Sequence, residues 1–356
     1  MRAGFVGAGL IAWTHAIGLQ AMIEAGIIDA GIAAVHDVDP SRAAGLAGAT
    51  GAAPVSSVEE VMERCDAVWV CTPTVHHREA VEAAAARGRA VFCEKPLATD
   101  LIGAQALASA ASRGGIAGQV GLVLRWSPVF RRLKALVASA ELGWPMAVVF
   151  RDDQYFPVQG LYRSTWRSEA ALTGGGCLIE HSIHDLDILR FCLGEVVEVS
   201  GRTARLSGRG DVEDVATVTL GFASGVTAQL TSVWHDILSR GSTRRVELFF
   251  QEGLVFLEDD FRGPIHLETS HGSQVIDCPS PQWVDDLPIE KGTLGLAVRL
   301  YVEQNRAFVE DVTAGQTPRP GFDEAVAAHR LVDAAYRSAE RGGAPIVLGM
   351  PRLEAP

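Results

Sequence analysis

Apolar positions in the first third of the chain cluster into short, nearly continuous runs. They fall at residues 2–5, 31–36, 67–71, 90–93 and 120–124. Runs of this length suit strands buried on both faces of a parallel sheet. The segments between them carry helical periodicity, at residues 15–25, 57–65, 77–87 and 101–113. Ser57, followed three residues later by Glu60, reads as a helix start. Residues 1–118 therefore read as a complete βαβ series. A helix at 131–140, closed by Gly143, follows. From Pro145 the pattern changes to strands at 147–150, 196–205, 215–222, 226–233, 245–250 and 254–257. Glycine or charged turns separate several of them, which suits a largely antiparallel sheet. Two long periodic segments, 293–312 and 323–341, predict helices packing back toward the first domain.

Composition narrows the picture. A chain of 356 residues predicts two domains, taken here as 1–120 and 121–356. Hydrophobic residues make up 48% and charged residues 21%, as in ordinary globular proteins. A formal net charge of -12 argues against a nucleic-acid partner. The apolar runs fall short of a membrane span, and Gly4 to Leu10 reads as structure rather than as a secretory signal. The six cysteines show no Cys-x-x-Cys pair, and Cys71, Cys93 and Cys177 sit in apolar surroundings. Reduced thiols and a cytoplasmic location are expected.

Candidate chemistry begins with Gly7-Ala8-Gly9-Leu10-Ile11-Ala12, a dinucleotide fingerprint with alanine at the third glycine. Gly7 permits the tight turn, Gly9 lets a pyrophosphate approach, Leu10 and Ile11 are counted with the cofactor-binding residues, and the free amides of the next helix terminus face phosphate. Asp37, at the end of the second run, is placed to accept the ribose hydroxyls and to repel a 2'-phosphate, which favours NAD over NADP. Asp39 shares that role or caps the next helix, and Arg42 leaves NADP possible. Thr72-Pro73, with His76 and His77, reaches the same sheet edge; one histidine contacts ligand or only caps a helix. Ala90 to Cys93 delivers Glu94-Lys95-Pro96 there as well. A lysine at the carboxyl end of a parallel strand can carry a proton or hold an oxygen, while the bland alternative is a solvated turn.

The second informative stretch is Gly174-Gly175-Gly176-Cys177-Leu178-Ile179-Glu180-His181-Ser182-Ile183-His184-Asp185-Leu186-Asp187. It reads as helix-like through Leu193, ending at Gly194. Glu180, His184 and Asp187 then share one face. His184 can take a proton from a hydroxyl at neutral pH, with Glu180 orienting it or binding a second hydroxyl. A histidine satisfied structurally by Asp187 competes with that reading. A metal is not expected, since zinc needs further ligands.

In this order, these motifs resemble the glucose-fructose oxidoreductase, inositol dehydrogenase and rhizopine-catabolism (Gfo/Idh/MocA) family over nearly the whole chain. The resemblance implies an α/β fold: an N-terminal Rossmann domain, then an α/β domain with a large, mostly antiparallel open sheet. It implies a homodimer or homotetramer formed through that sheet. It implies NAD(P)-dependent transfer of hydride to or from a secondary alcohol of a sugar, inositol or related cyclic polyol. Lys95 matches the family's active-site lysine and His184 its catalytic histidine. Glu180 stands where aspartate is common, and Thr74 where asparagine is common. Substrate is expected to lie between the nicotinamide and the helix carrying His184. Arg125, Asp152, Tyr155, Trp166, Arg167, His181 and His235 are candidate substrate-loop residues, and Trp166 is equally readable as a core residue. An NAD-dependent glycoside hydrolase with transient oxidation, and a non-catalytic nucleotide-binding sensor or assembly subunit, are the alternatives.

Overall fold

The computed structural model describes residues 1–139, 141–290 and 292–349, with the side chains of residues 293 and 294 excepted. In chain order the first elements are β1 (Arg2–Val6), α1 (Leu10–Glu24), β2 (Gly31–His36), α2 (Pro40–Thr50) and β3 (Ala53–Pro54). Then come α3 (Val58–Arg64), β4 (Ala67–Val70), α4 (His77–Ala86), β5 (Ala90–Cys93), α5 (Leu101–Gly114) and β6 (Gly118–Val120). They are followed by α6 (Pro128–Ser139), β7 (Pro145–Tyr155), α7 (Ala170–Thr173), α8 (Ile183–Leu193), β8 (Val196–Ala204) and β9 (Val215–Phe222). Next are β10 (Thr227–His235), β11 (Thr243–Phe250), β12 (Gly253–Leu257), β13 (Ile265–Thr269) and β14 (Gly272–Ile276). Last are α9 (Gln282–Asp285), α10 (Thr293–Thr313), α11 (Phe322–Glu340) and β15 (Ile346–Val347).

The chain divides into two compact units. The first holds residues 1–126, 171–174 and 280–326. The second holds 127–170, 175–279 and the residues from Ala327 on. The first is built on a parallel sheet of order β3-β2-β1-β4-β5-β6, the doubly wound Rossmann order. Both faces are covered, which is why its strands read as unbroken apolar runs. Phe5, Trp69 and Phe92 point to one face, toward Leu19 and Met22 of α1 and Phe308 of α10. Val68, Val70, Val91 and Cys93 point to the other, with residues of α3, α4 and α5. Trp69 stacks between Phe5 and Phe92, at 5.8 and 6.0 Å between ring centroids.

The second unit carries a nine-stranded sheet of order β14-β13-β12-β11-β7-β10-β9-β8-β15. It is antiparallel except where β10 runs parallel to β7. Alternation is clear in β9 and β10: Ala216, Val218, Leu220, Ala228 and Leu230 are buried, while Thr217, Gln229 and Thr231 between them are exposed. The fold class expected from the sequence is therefore the one observed.

Several local expectations need correction. α1 begins at Leu10, directly after the glycine turn, rather than near His15. The run at 120–124 is not a strand. β6 ends at Val120, and residues 123–126 form a 3-10 turn, so Arg125 lies in a turn. The physical reason is local backbone bonding: the Leu122 amide donates back to the Val120 carbonyl oxygen at 2.7 Å and the Arg125 amide to that of Leu122 at 3.2 Å, so the chain turns away from the ladder. α6 starts earlier than expected, at Pro128, and its expected end at Ala140 lies outside the described residues. The segment from Cys177 is not one helix. A π-turn, Cys177–His181, precedes α8. β13 and β14 were not legible as strands, because they lie at the sheet margin and β14 is mostly exposed.

Candidate active site

In the first unit, the glycine turn is shaped by contact. Gly7 has φ +92, and a Cβ there would lie 2.7–2.8 Å from the backbone of Cys71 and Thr72. No other residue fits both the angle and the space. Gly9 faces open space and stands at the N-terminus of α1, where no side chain caps the helix and no acid lies in the first turn. Ala12 is fully buried, so a small residue suffices at the third position. The open cradle and the uncapped amides at Leu10 and Ile11 fit a pyrophosphate. Asp37 accepts the Ala8 amide at 2.7 Å and the Asp39 amide at 2.9 Å. Each carboxylate oxygen retains a second lone pair for a ribose hydroxyl. Asp39 itself caps α2 through the Ser41 amide, at 2.9 Å.

His76 stands at the N-terminus of α4 and makes no side-chain cap. His77 is buried, and its ring nitrogens lie 3.0 Å from the Thr72 carbonyl oxygen and 3.3 Å from that of Leu97. It therefore ties the Thr72-Pro73 loop to the loop that carries Lys95. Glu94 is not solvated: it is 6% exposed. Its Oε2 accepts the Lys95 amide at 3.3 Å, and its Oε1 lies 2.9 Å from His15 Nε2. His15 Nδ1 lies 2.8 Å from Asn305 Oδ1, which also accepts the Trp69 indole N–H at 3.0 Å. An indole can only donate, so Oδ1 of Asn305 is the accepting end and His15 Nδ1 carries a hydrogen. One further proton then joins His15 Nε2 to Glu94. Lys95, half-buried, projects from this anchored backbone.

In the second unit, glycines again mark close approach. A Cβ at Gly176 would overlap the Glu213 carbonyl oxygen. The Glu213 carboxylate accepts the Gly176 amide at 2.7 Å, the Leu178 amide at 3.0 Å and the Tyr336 hydroxyl at 2.8 Å. This cap holds the entry to the π-turn. Glu180, in that turn, is 2% exposed and accepts Arg167 Nε at 3.2 Å. Arg167 also donates to Ser164 at 2.9 Å and lies over the Trp166 ring at 4.6 Å. Trp166 is half-buried, so it is not a core tryptophan. His184 is 7% and Asp187 1% exposed on α8. The shared face expected for Glu180, His184 and Asp187 holds only in part, because the π-turn interrupts the helical spacing between the first two.

The remaining candidates sit elsewhere in this unit. The Tyr155 hydroxyl accepts the Leu161 amide at 3.1 Å and so shapes its own loop. His235 lies 3.4 Å from Asp153, and its Nδ1 accepts the Ile237 amide. Asp153 also takes Arg240 and Arg151. Asp152 points the other way. It is fully buried, accepts Ser182 Oγ at 3.0 Å and lies 3.2 Å from His181 Nε2. Beside it Arg244, also buried, reaches Asp185 and Asp260, both at 2.6 Å. Burial pushes the Asp185 carboxyl up to about 7, Arg244 opposing and Asp152 adding to the rise. Burial also raises Asp152. Arg244, Asp185 and Asp260 were not singled out in the sequence, although Arg244 shares the buried face of β11 with Val246, Leu248 and Phe250. That alternation was the available signal.

Comparison with known proteins agrees with this anatomy. Residues 1–122 match the oxidoreductase family with an NAD-binding Rossmann fold, and residues 130–256 match the Gfo/Idh/MocA C-terminal domain. Inositol 2-dehydrogenase of Rhizobium meliloti is 29% identical over 348 residues, 95% of this chain and 96% of that protein. D-apiose dehydrogenase of Paraburkholderia graminis is 29% identical over 299 residues, 83% of this chain and 76% of that one. The crystal structure of GenD2 from gentamicin A biosynthesis, in complex with NAD, superposes with a TM-score of 0.80 at 27% identity, covering 98% of this chain and 96% of that chain. With both halves matched to one family, the chain belongs to the Gfo/Idh/MocA oxidoreductases and is an NAD-dependent dehydrogenase.

Proposed function

We propose that the protein reversibly oxidises a secondary alcohol on a sugar, inositol or related cyclic polyol. The observation that carries this reading is the set of residue types: Lys95 on an anchored backbone, and His184 four residues after Glu180, whose buried carboxylate pairs with Arg167. The names of relatives that act on inositol and apiose support the same substrate class. Gly7, Gly9 and the first amides of α1 hold the pyrophosphate, Asp37 the ribose, and Thr72, Pro73 and His77 shape the neighbouring loop. NAD, when bound, supplies the hydride acceptor.

His184 takes the hydroxyl proton. Lys95 donates a hydrogen bond to the reacting oxygen and stabilises negative charge developing there. Glu180 and Arg167 together present an acceptor and donors to neighbouring hydroxyls. Their charges offset each other, which suits an uncharged polyol. Asp37 repels a 2'-phosphate, so NAD is preferred to NADP. The exposed face of the nine-stranded sheet supports self-association, as a dimer or tetramer.

A panel of inositols, aldoses, polyols and simple glycosides incubated with NAD, read by NADH formation and product analysis, tests the reading. Net NADH with a ketone or lactone product is the expected result. Product without net NADH would point to the hydrolase, and no turnover of any member would defeat the substrate class.

A further inference from the structure

The segment carrying His184 has two sides. Glu180 and His184 are taken by the proposed chemistry. Residues 181, 182 and 185 instead face a buried charged cluster. His181 Nε2 lies 3.2 Å from Asp152 and 3.1 Å from Arg244 Nη2. Ser182 Oγ donates to Asp152 Oδ2 at 3.0 Å and to Ser232 Oγ at 2.7 Å. Asp185 Oδ1 accepts Arg244 Nε at 2.6 Å. Asp185 Oδ2 is buried, and no donor among the described residues reaches it. Asp152 and Asp185 are both fully buried and lie within reach of each other.

We propose that Asp185 is a positioning residue for His184: its Oδ2 carries a proton shared with Asp152, and this protonated pair, gripped by Arg244, fixes the turn that presents His184. This rests on the proposed role of His184. The charge count supports it. One guanidinium faces Asp152, Asp185 and Asp260, and two adjacent buried carboxylates cannot both ionise cheaply. Among the described residues, the charged and titratable groups facing the pair are Asp152 from β7, Arg244 from β11, Asp260 after β12, His181 and Cys177 from the π-turn and Tyr162 from the loop after β7. His181 faces a donor and an acceptor with one nitrogen, so it serves one at a time and cannot neutralise the excess alone. Loss of the shared proton leaves two anions side by side and loosens the turn.

The test uses the full-length protein and its Asp185→Asn and Asp185→Ala variants. Infrared spectra at about pH 6 should show a protonated-carboxyl band in wild type that Asp185→Asn lacks. Hydrogen exchange of the peptide spanning 177–187, corrected for intrinsic rate, should rise about tenfold in wild type between about pH 6 and about pH 8.5. Asp185→Asn should remove that pH dependence, and Asp185→Ala should exchange fast throughout. Turnover on the best substrate of the panel should fall on the alkaline side in wild type and not in Asp185→Asn. An unchanged infrared band in Asp185→Asn, or exchange independent of pH in wild type, overturns the proposal. Should Asp185→Asn fail to fold, Asp152→Asn takes its place, with the same loss of pH dependence expected. The expected band and exchange without turnover of any polyol would leave the pair standing and defeat the substrate reading instead.

Discussion

In the first unit one buried acid, Glu94, meets one imidazole, His15, whose other ring nitrogen meets Asn305. In the second unit three carboxylates crowd one buried guanidinium, and an acid oxygen has no donor. Each cluster sits next in sequence to a proposed reacting side chain, Glu94 before Lys95 and Asp185 after His184. Both anchor backbone, but by different means. The first pairs one acid with one imidazole at hydrogen-bond distance. The second has more acids than bases and is balanced by the shared proton proposed above. Two units of one enzyme can therefore anchor their reactive groups with different charge balances.

The largest expected effect comes from removing what the clusters hold. His184→Ala and Lys95→Met should each lower turnover by about a hundredfold to ten-thousandfold, with NAD affinity, measured by titration, nearly unchanged. Raising the pH should partly restore His184→Ala. Near-normal turnover in His184→Ala would break the assignment.

The balanced cluster is broken by His15→Leu. Glu94 and Asn305 then lose a buried partner, and a loss of roughly 2–4 kcal/mol is expected in denaturant unfolding. The same change should weaken turnover through Lys95, whose amide leans on Glu94.

Asp185→Asn sharpens the contrast. An acid held at about 7 in the fold, against 3.8 as its ordinary value, binds more protons folded than unfolded. Stability from this group is greatest below the ordinary value and declines as pH rises toward about 7. Melting temperatures at about pH 5 and about pH 8 should therefore show Asp185→Asn gaining on wild type as pH rises.

Asp37→Ala should give the smallest change. A loss of about tenfold in NAD affinity, and a narrower preference over NADP, are expected from one charge-assisted contact. Unchanged discrimination in parallel titrations would remove Asp37 as the ribose anchor.

These two clusters also mark how far the sequence could be read. The strands of the first sheet were legible because burial on both faces leaves continuous apolar runs, as in Ala67–Val70 and Ala90–Cys93. Lys95, His184 and the glycine turn were legible because each lies in a local motif. The contacts around Glu94 were not, since His15, its partner, and Asn305, the partner of His15, come from helices whose periodicity says nothing of a contact 79 or more residues away. Arg244 could have been found from the alternation of β11, but its pairing with Asp185, 59 residues distant, could not. Likewise the π-turn at Cys177–His181 carries no periodic signal distinct from the helix after it.

The Glu213 cap has a consequence for the order of assembly. Glu213 joins the Gly176 amide, 37 residues before it, to the Tyr336 hydroxyl, 123 residues after it. Contacts so distant along the chain close late, since loop entropy must be overcome first. On the ribosome, the turn presenting His184 cannot acquire its full set of tethers until synthesis has passed Tyr336. The parallel strands of the first sheet, by contrast, are complete by Val120. Yet α10, which covers one face of that sheet through Phe308, also emerges late, so the nucleotide cradle and the proton acceptor gain their final support from the same late stretch of chain, and a ligand can steady the cradle only once α10 has been made.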